Sequence, residues 1–234
     1  MDIQWYPGHM AKAKRMMQEN LKLVDVIIEL LDARIPISSR NPDMDKLAGS
    51  KSRVIVLNKS DMADDRHNDA WVKYYEDKGF YVVKADSKSG SGIRQVKDVV
   101  NKACEAKRQR DQRKGILNRP LRAMVAGIPN VGKSTFINSL AGKASAKTGN
   151  KPGVTRGKQW IKLGNNIELL DTPGLLWPKF TDIETGLKLA FIGSISDDII
   201  NTTELALELI FTVSKNYPDA FDQRYGIGEI KEID

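Results

Sequence analysis

The sequence predicts an α/β protein: a mostly parallel sheet with helices on both faces, followed by a small all-helical segment. Three observations carry this. Short runs rich in Val, Ile and Leu recur at Val24–Leu31, Val54–Leu57, Phe80–Val83 and Leu121–Ala126. Helical patterns separate them, over about Met10–Leu23, 67–78 and 92–113, an alternation expected of βαβ units. After Pro178 only helical patterns remain, near 182–194 and 202–215. A boundary close to Trp177 therefore divides the chain into domains of residues 1–177 and 178–234.

Two more strands are expected at Gln159–Leu163 and Ile167–Leu170. Residues 142–157, rich in Gly and Lys, read as a mobile loop. With 234 residues, 41% of them hydrophobic and 29% charged, the chain supports one sizeable core and a small second domain rather than disorder. No apolar stretch is long enough to span a membrane, and Met1–Trp5 lacks the pattern of a secretory signal. Cys104 is the only cysteine, which excludes an internal disulfide and fits a cytoplasmic protein; it reads as an ordinary helix residue.

Charge is unevenly spread. Residues 180–234 hold four Lys/Arg against eleven Asp/Glu, net −7, so the chain's +7 leaves +14 on residues 1–179. A body this basic suits a polyanion such as RNA. Its visible components are Lys107, Arg108, Arg110, Arg113 and Lys114, and near the N-terminus Lys12, Lys14 and Arg15. Solvated faces are the plain alternative. An anionic membrane lacks an amphipathic or lipidated anchor here, so no membrane partner is expected.

Gly127-Ile128-Pro129-Asn130-Val131-Gly132-Lys133-Ser134 matches the phosphate-loop pattern in full, with a strand before it and a helix from about Lys133 after it. Its glycines let backbone N–H groups turn inward on phosphate oxygens, and the helix start adds partial positive charge. Asn130, Val131, Gly132 and Thr135 belong to the cradle. Lys133 is expected on the β- and γ-phosphates, and Ser134 on Mg²⁺. Asp171-Thr172-Pro173-Gly174 follows a strand, so Asp171 would hold the same Mg²⁺ and the Gly174 N–H would meet the γ-phosphate. Thr155, between the two motifs, is the natural second hydroxyl ligand. Taken singly, these last two features also fit plain loops.

Asn58-Lys59-Ser60-Asp61 follows the strand Val54–Leu57. The Asp61 carboxylate would accept from N1–H and N2–H₂ of guanine together, a donor pair that adenine lacks. Lys59 would lie along the base while Asn58 braces the loops. After the next strand come Asp86-Ser87-Lys88, where a backbone N–H near Ser87 would donate to guanine O6. The base motifs therefore precede the phosphate loop, the reverse of the order in ordinary small GTPases. A parallel sheet tolerates this if the old termini lie close together, since ligands still meet the strands' carboxyl ends.

With this order, the chain resembles the circularly permuted GTPases of the YlqF type, the ribosome biogenesis GTPases A. The likeness includes Trp5-Tyr6-Pro7-Gly8-His9-Met10, Asp32-Ala33-Arg34 and Gly127–Thr135. It implies a circularly permuted P-loop GTPase domain followed by a helical domain. The implied role is a cytoplasmic GTPase, with GTP and GDP as substrate and product, acting in assembly of the large ribosomal subunit. Its implied partner is that subunit or its precursor, rRNA and proteins included; no oligomer is expected. Two departures stand out. Asp86 replaces a usually small or neutral residue, and the helical part is short, so the natural chain is expected to extend further.

Hydrolysis needs an oriented water and stabilisation of charge on the phosphates. Where many GTPases carry a glutamine, this chain has Leu175. His9 is a candidate water-orienting group, and equally a turn residue or an RNA contact; His67 sits in a polar segment and reads as solvated. Asn130 is a candidate ligand for K⁺, since similar GTPases with this asparagine and no glutamine depend on potassium. Turnover would then be slow alone and stimulated by the ribosomal particle. A nucleotide-regulated RNA-binding module with incidental hydrolysis is the competing reading.

Overall fold

The computed structural model describes residues 6, 8–116, 119–142, 159–163, 166–178, 180 and 182–227. They fall into two compact units that part after Pro178. The first is built on a six-stranded sheet. Along the chain come α1 (Gly8–Leu21), β1 (Val26–Asp32), α2 (Asp43–Ala48), β2 (Ser52–Asn58), α3 (Asp65–Asp77) and β3 (Tyr81–Ala85). They are followed by α4 (Ile93–Ala103), α5 (Glu105–Arg113), β4 (Leu121–Gly127), α6 (Lys133–Ala141), β5 (Gln159–Leu163) and β6 (Ile167–Asp171).

The strand order is β3-β2-β1-β4-β6-β5, parallel except for β5, which pairs antiparallel with β6. All seven residues of β1 are buried. Successive side chains of a strand point to opposite faces, so both faces of the sheet centre are covered. α4 buries Ile93, Val96, Val100 and Ala103, one stripe at helical spacing, and packs on β2 and β3. Leu31, Ile55, Leu57 and Val82 form a core cluster with Tyr75 of α3. Glu29 is buried under it, paired with Arg53 and Arg40; burial pushes its carboxyl up, against the two guanidinium charges.

The second unit contains α7 (Ile183–Phe191), α8 (Thr202–Asn216) and α9 (Ala220–Tyr225), with α7 packed on α8. Asp182 caps α7 by accepting from the Thr185 N–H at 2.6 Å, and Asn201 caps α8. Among the described residues no helix is long and apolar enough to cross a membrane.

Several expectations need adjustment. The helix expected over 92–113 is two helices, broken at Cys104, which lies buried in the turn between α4 and α5. Burial pushes its thiol up to about 11. The short α2 and α9 have too few residues to display a period. α5 buries no residue, so its Lys and Arg side chains lie on an exposed helix. Lys107 is held by Asp25 and Asp111, and Lys14 by Asp43. His67 is exposed, as expected. Most of the expected loop over 142–157 lies outside the described residues.

Candidate nucleotide site

Register brings the motifs to one edge. Asp32 at the end of β1 pairs with Asn58 at the end of β2, and Asn58 with Ala85 at the end of β3. On the other side Leu30 pairs with Gly127, and Val125 with Asp171. The loops after β1, β2, β3, β4 and β6 thus leave from the carboxyl edge of the sheet, where open α/β sheets bind ligands.

The phosphate loop turns tightly between β4 and α6. Gly132, at φ 97°, leaves room for Asn58: a Cβ there would sit 2.6 Å from Asn58 Nδ2. Asn58 Nδ2 donates to the Val131 carbonyl at 2.8 Å, while its Oδ1 accepts from the Ser87 hydroxyl at 2.6 Å and the Ser87 N–H at 3.2 Å. One buried amide therefore ties the phosphate loop to both base-side loops. Lys59 Nζ adds a second tie, donating to the Asn130 carbonyl at 2.9 Å.

Lys133 opens α6 and is buried. Its ammonium donates to the carbonyls of Ile128 at 2.7 Å and Gly127 at 3.2 Å. Burial lowers its pKa to about 8 against the opposing pull of Asp171. A buried cation resting on carbonyls is poised to gain from an anion. Gly174 lies against it: a Cβ there would come 2.8 Å from the Pro129 backbone and 3.1 Å from Lys133 Nζ. Thr172 Oγ1 donates to the Val125 carbonyl at 2.6 Å, fixing the turn out of β6.

Buried Asp171 and the half-buried Ser134 in the first turn of α6 offer hard oxygen donors of the kind Mg²⁺ takes. Among the described residues no cluster of three or more His, Cys, Asp or Glu would hold a metal unaided. A Mg²⁺ here would share its ligands with phosphate. Thr155 lies outside the described residues, as does the side chain of His9; the His9 backbone belongs to α1.

Asp61 is exposed in a single 3₁₀ turn, Ser60–Met62. Asn68 holds that turn from below, with Nδ2 donating to the Ser60 carbonyl at 3.0 Å. Asn68 is fully buried, although it sits in the polar segment Asp64–Asp69. Only an isolated Asn on the inner face of α3 distinguishes it in sequence. Asp86 is a loop brace: its carboxylate accepts from the N–H groups of Lys88 at 2.8 Å and Ser89 at 3.2 Å. The Ser89 hydroxyl foremost, and then those two N–H groups, hold its carboxyl below the usual range. Leu175 points into the core, 2% exposed, and its N–H donates to the Gly127 carbonyl at 3.1 Å.

Fold and site together define a circularly permuted P-loop GTPase. Residues 122–224 match the family described as 50S ribosome-binding GTPase. Ribosome biogenesis GTPase A of Bacillus cereus is 49% identical over 99% of this chain and 78% of its own length. Mitochondrial ribosome-associated GTPase 1 of Bos taurus is 37% identical over 97% of this chain and 70% of its own. The crystal structure of GNP-bound YlqF from T. maritima superposes with a TM-score of 0.62 at 26% identity, covering 92% of this chain and 84% of the other. The chain belongs to the ribosome biogenesis GTPase A family, and it is a GTPase.

Proposed function

We propose that this GTPase acts in the cytoplasm during assembly of the large ribosomal subunit, binding rRNA or the pre-ribosomal particle in a way set by its nucleotide. The observation that carries the nucleotide half is the joining of base and phosphate loops by Asn58 and Lys59. The names of its relatives support the ribosomal half. The exposed α5, with Arg108, Arg110, Arg113 and Lys114, offers phosphate contacts to RNA.

In this reading Asp61 selects guanine, Lys59 flanks the base, and Ser60 with Asp86, Ser87 and Lys88 completes the pocket. The loop from Asn130 to Gly132 and the N–H groups of Lys133, Ser134 and Thr135 cradle the phosphates. Ser134, Thr155 and Asp171 hold Mg²⁺, which neutralises charge on the phosphate oxygens when bound. Lys133 supplies a buried positive charge where the leaving diphosphate gains negative charge. Gly174 senses the γ-phosphate. Water is oriented by His9 or by the ribosomal partner, and Asn130 helps hold K⁺ beside the phosphates.

Turnover with and without large-subunit particles tests this, paired with co-sedimentation in GTP analogue, GDP or no nucleotide. Stimulated turnover and analogue-dependent binding are expected. Equal turnover and equal binding in all three states would leave an RNA-binding module with incidental hydrolysis.

A further inference from the structure

Asp32 is fully buried at the end of β1, and no step described so far uses it. It is unusually well furnished. Its Oδ1 accepts from the Arg34 N–H at 3.2 Å and Nε at 2.8 Å, and its Oδ2 from Arg34 Nη2 at 2.7 Å. Lys59 Nζ lies 3.1 Å from the same Oδ2. Burial pushes the carboxyl up, but the Arg34 hydrogen bonds and the Lys59 charge outweigh it and keep the group below the usual carboxylate range. Asp32 is therefore an anion at neutral pH.

The lysine it grips is strained. Lys59 has φ 58° and Asn130 φ 56°, the left-handed region that residues with side chains rarely adopt. These two strained residues are hydrogen-bonded to each other, Lys59 Nζ to Asn130 O. Strain of this kind persists only where surroundings over-determine it. Asp32 supplies that determination for Lys59, because it fixes the far end of the side chain while the Asn130 carbonyl fixes its direction. Arg34 completes the arrangement. Its guanidinium is held by Asp32, is 28% exposed, and feels the charge of Asp61.

We propose that Asp32 and Arg34 are positioning residues for guanine recognition: Asp32 anchors Lys59 between the base slot and the phosphate loop, and Arg34 holds Asp32 in place. Arg34 reaches the site through Asp32 and Lys59, whose only printed tie to the phosphate loop is the Asn130 carbonyl, so its removal should act on base affinity more than on the phosphate cradle. This rests on the assignment of Lys59 and Asp61 to the base.

Two probes separate the possibilities: a fluorescent N-methylanthraniloyl GDP, which uses both halves of the site, and inorganic tripolyphosphate, which uses only the cradle. Arg34→Ala is the primary variant because the side chain is partly exposed and its loss leaves Asp32 paired with Lys59. It should weaken the GDP analogue about tenfold, with tripolyphosphate within about twofold. The loss in GTP turnover should fall on KM rather than kcat. Arg34→Lys should recover part of the affinity, since lysine restores charge without the two-pronged contact. Asp32→Asn should cost more, about a hundredfold, because it leaves two cations sharing one neutral amide. If the unmodified protein fails to bind the GDP analogue, the nucleotide reading itself falls. If it binds and Arg34→Ala binds equally well, or tripolyphosphate weakens in the same proportion, the positioning role is overturned.

Discussion

Asn58 and Val131, separated by 73 positions in the chain, are joined by a 2.8 Å hydrogen bond from side-chain amide to backbone carbonyl. Because the order of motifs is permuted, this contact ties together loops that the chain reaches through β3, α4, α5 and β4. Asn58→Ala removes it along with both contacts to Ser87. The buried Val131 carbonyl and Ser87 hydroxyl would lose partners, at about 1–3 kcal/mol each in the worst case. GDP and GTP affinities should therefore both fall by more than tenfold, with a lower melting temperature and an unchanged circular dichroism spectrum. Nucleotide titration and thermal melting check this; unaltered affinity would deny Asn58 its bracing role.

Lys133 gives a pH signature with a definite sign. In the nucleotide-free protein burial holds its pKa at about 8. Phosphates beside the ammonium favour the charged form, so the complex binds more protons than the free protein above that pH. Affinity for GDP should therefore be level below about pH 8 and fall as pH rises beyond it, by up to about tenfold per unit. Lys133→Arg, whose charge does not titrate in this range, should lose this component of the dependence. Fluorescent-nucleotide titrations from about pH 7 to about pH 9 decide it. An unmodified protein whose pH profile matches that of Lys133→Arg would contradict the assignment.

Leu175 occupies the position where a water-orienting glutamine is found in many GTPases, yet it is 2% exposed and lines a small internal gap with Met17, Leu30 and Met44. Leu175→Gln should not raise turnover. It forces a polar amide into a tightly packed gap whose lining also includes Glu29, Ser39 and Asn41, so it should lower stability by about 1–3 kcal/mol. Denaturant melts and single-turnover hydrolysis check both halves. A faster variant would mean that the segment after Gly174 can turn its side chain toward the phosphates.

How much of this was legible beforehand follows from what each residue's role depends on. The strands announce themselves because a sheet buried on both faces needs continuous apolar runs, as in Val54–Leu57. The phosphate loop is legible because wrapping an anion demands glycines and a lysine at fixed offsets. By contrast, Asn68 sits unmarked in a polar segment and Asp86 reads as part of the guanine loop, and only the third dimension shows that each braces a loop. The direction of β5 is likewise silent, since antiparallel and parallel strands draw on the same residues. The break at Cys104 is hidden because Ala103, Cys104 and Glu105 are all compatible with a continuous helix.

The last prediction concerns potassium. Asn130 sits at the crest of the phosphate loop at φ 56°, and its carbonyl is taken by Lys59. Its backbone is thus fixed from outside the phosphate loop, and the ligand proposed for K⁺ is its side-chain amide. A carbonyl oxygen of that amide, together with phosphate oxygens, is a fitting donor set for a monovalent cation, and such a cation would supply positive charge that Leu175 cannot. Turnover should therefore be several-fold faster in KCl than in NaCl at equal ionic strength, on the order of the charge-stabilisation effects seen at phosphoryl-transfer sites. Asn130→Asp places a full negative charge beside the phosphates and should weaken GTP binding. Asn130→Ala should keep binding within about tenfold while abolishing the difference between the salts. Equal rates in KCl and NaCl, with and without ribosomal particles, would make Asn130 a structural residue and leave the transition-state charge to Lys133, Mg²⁺ and the partner.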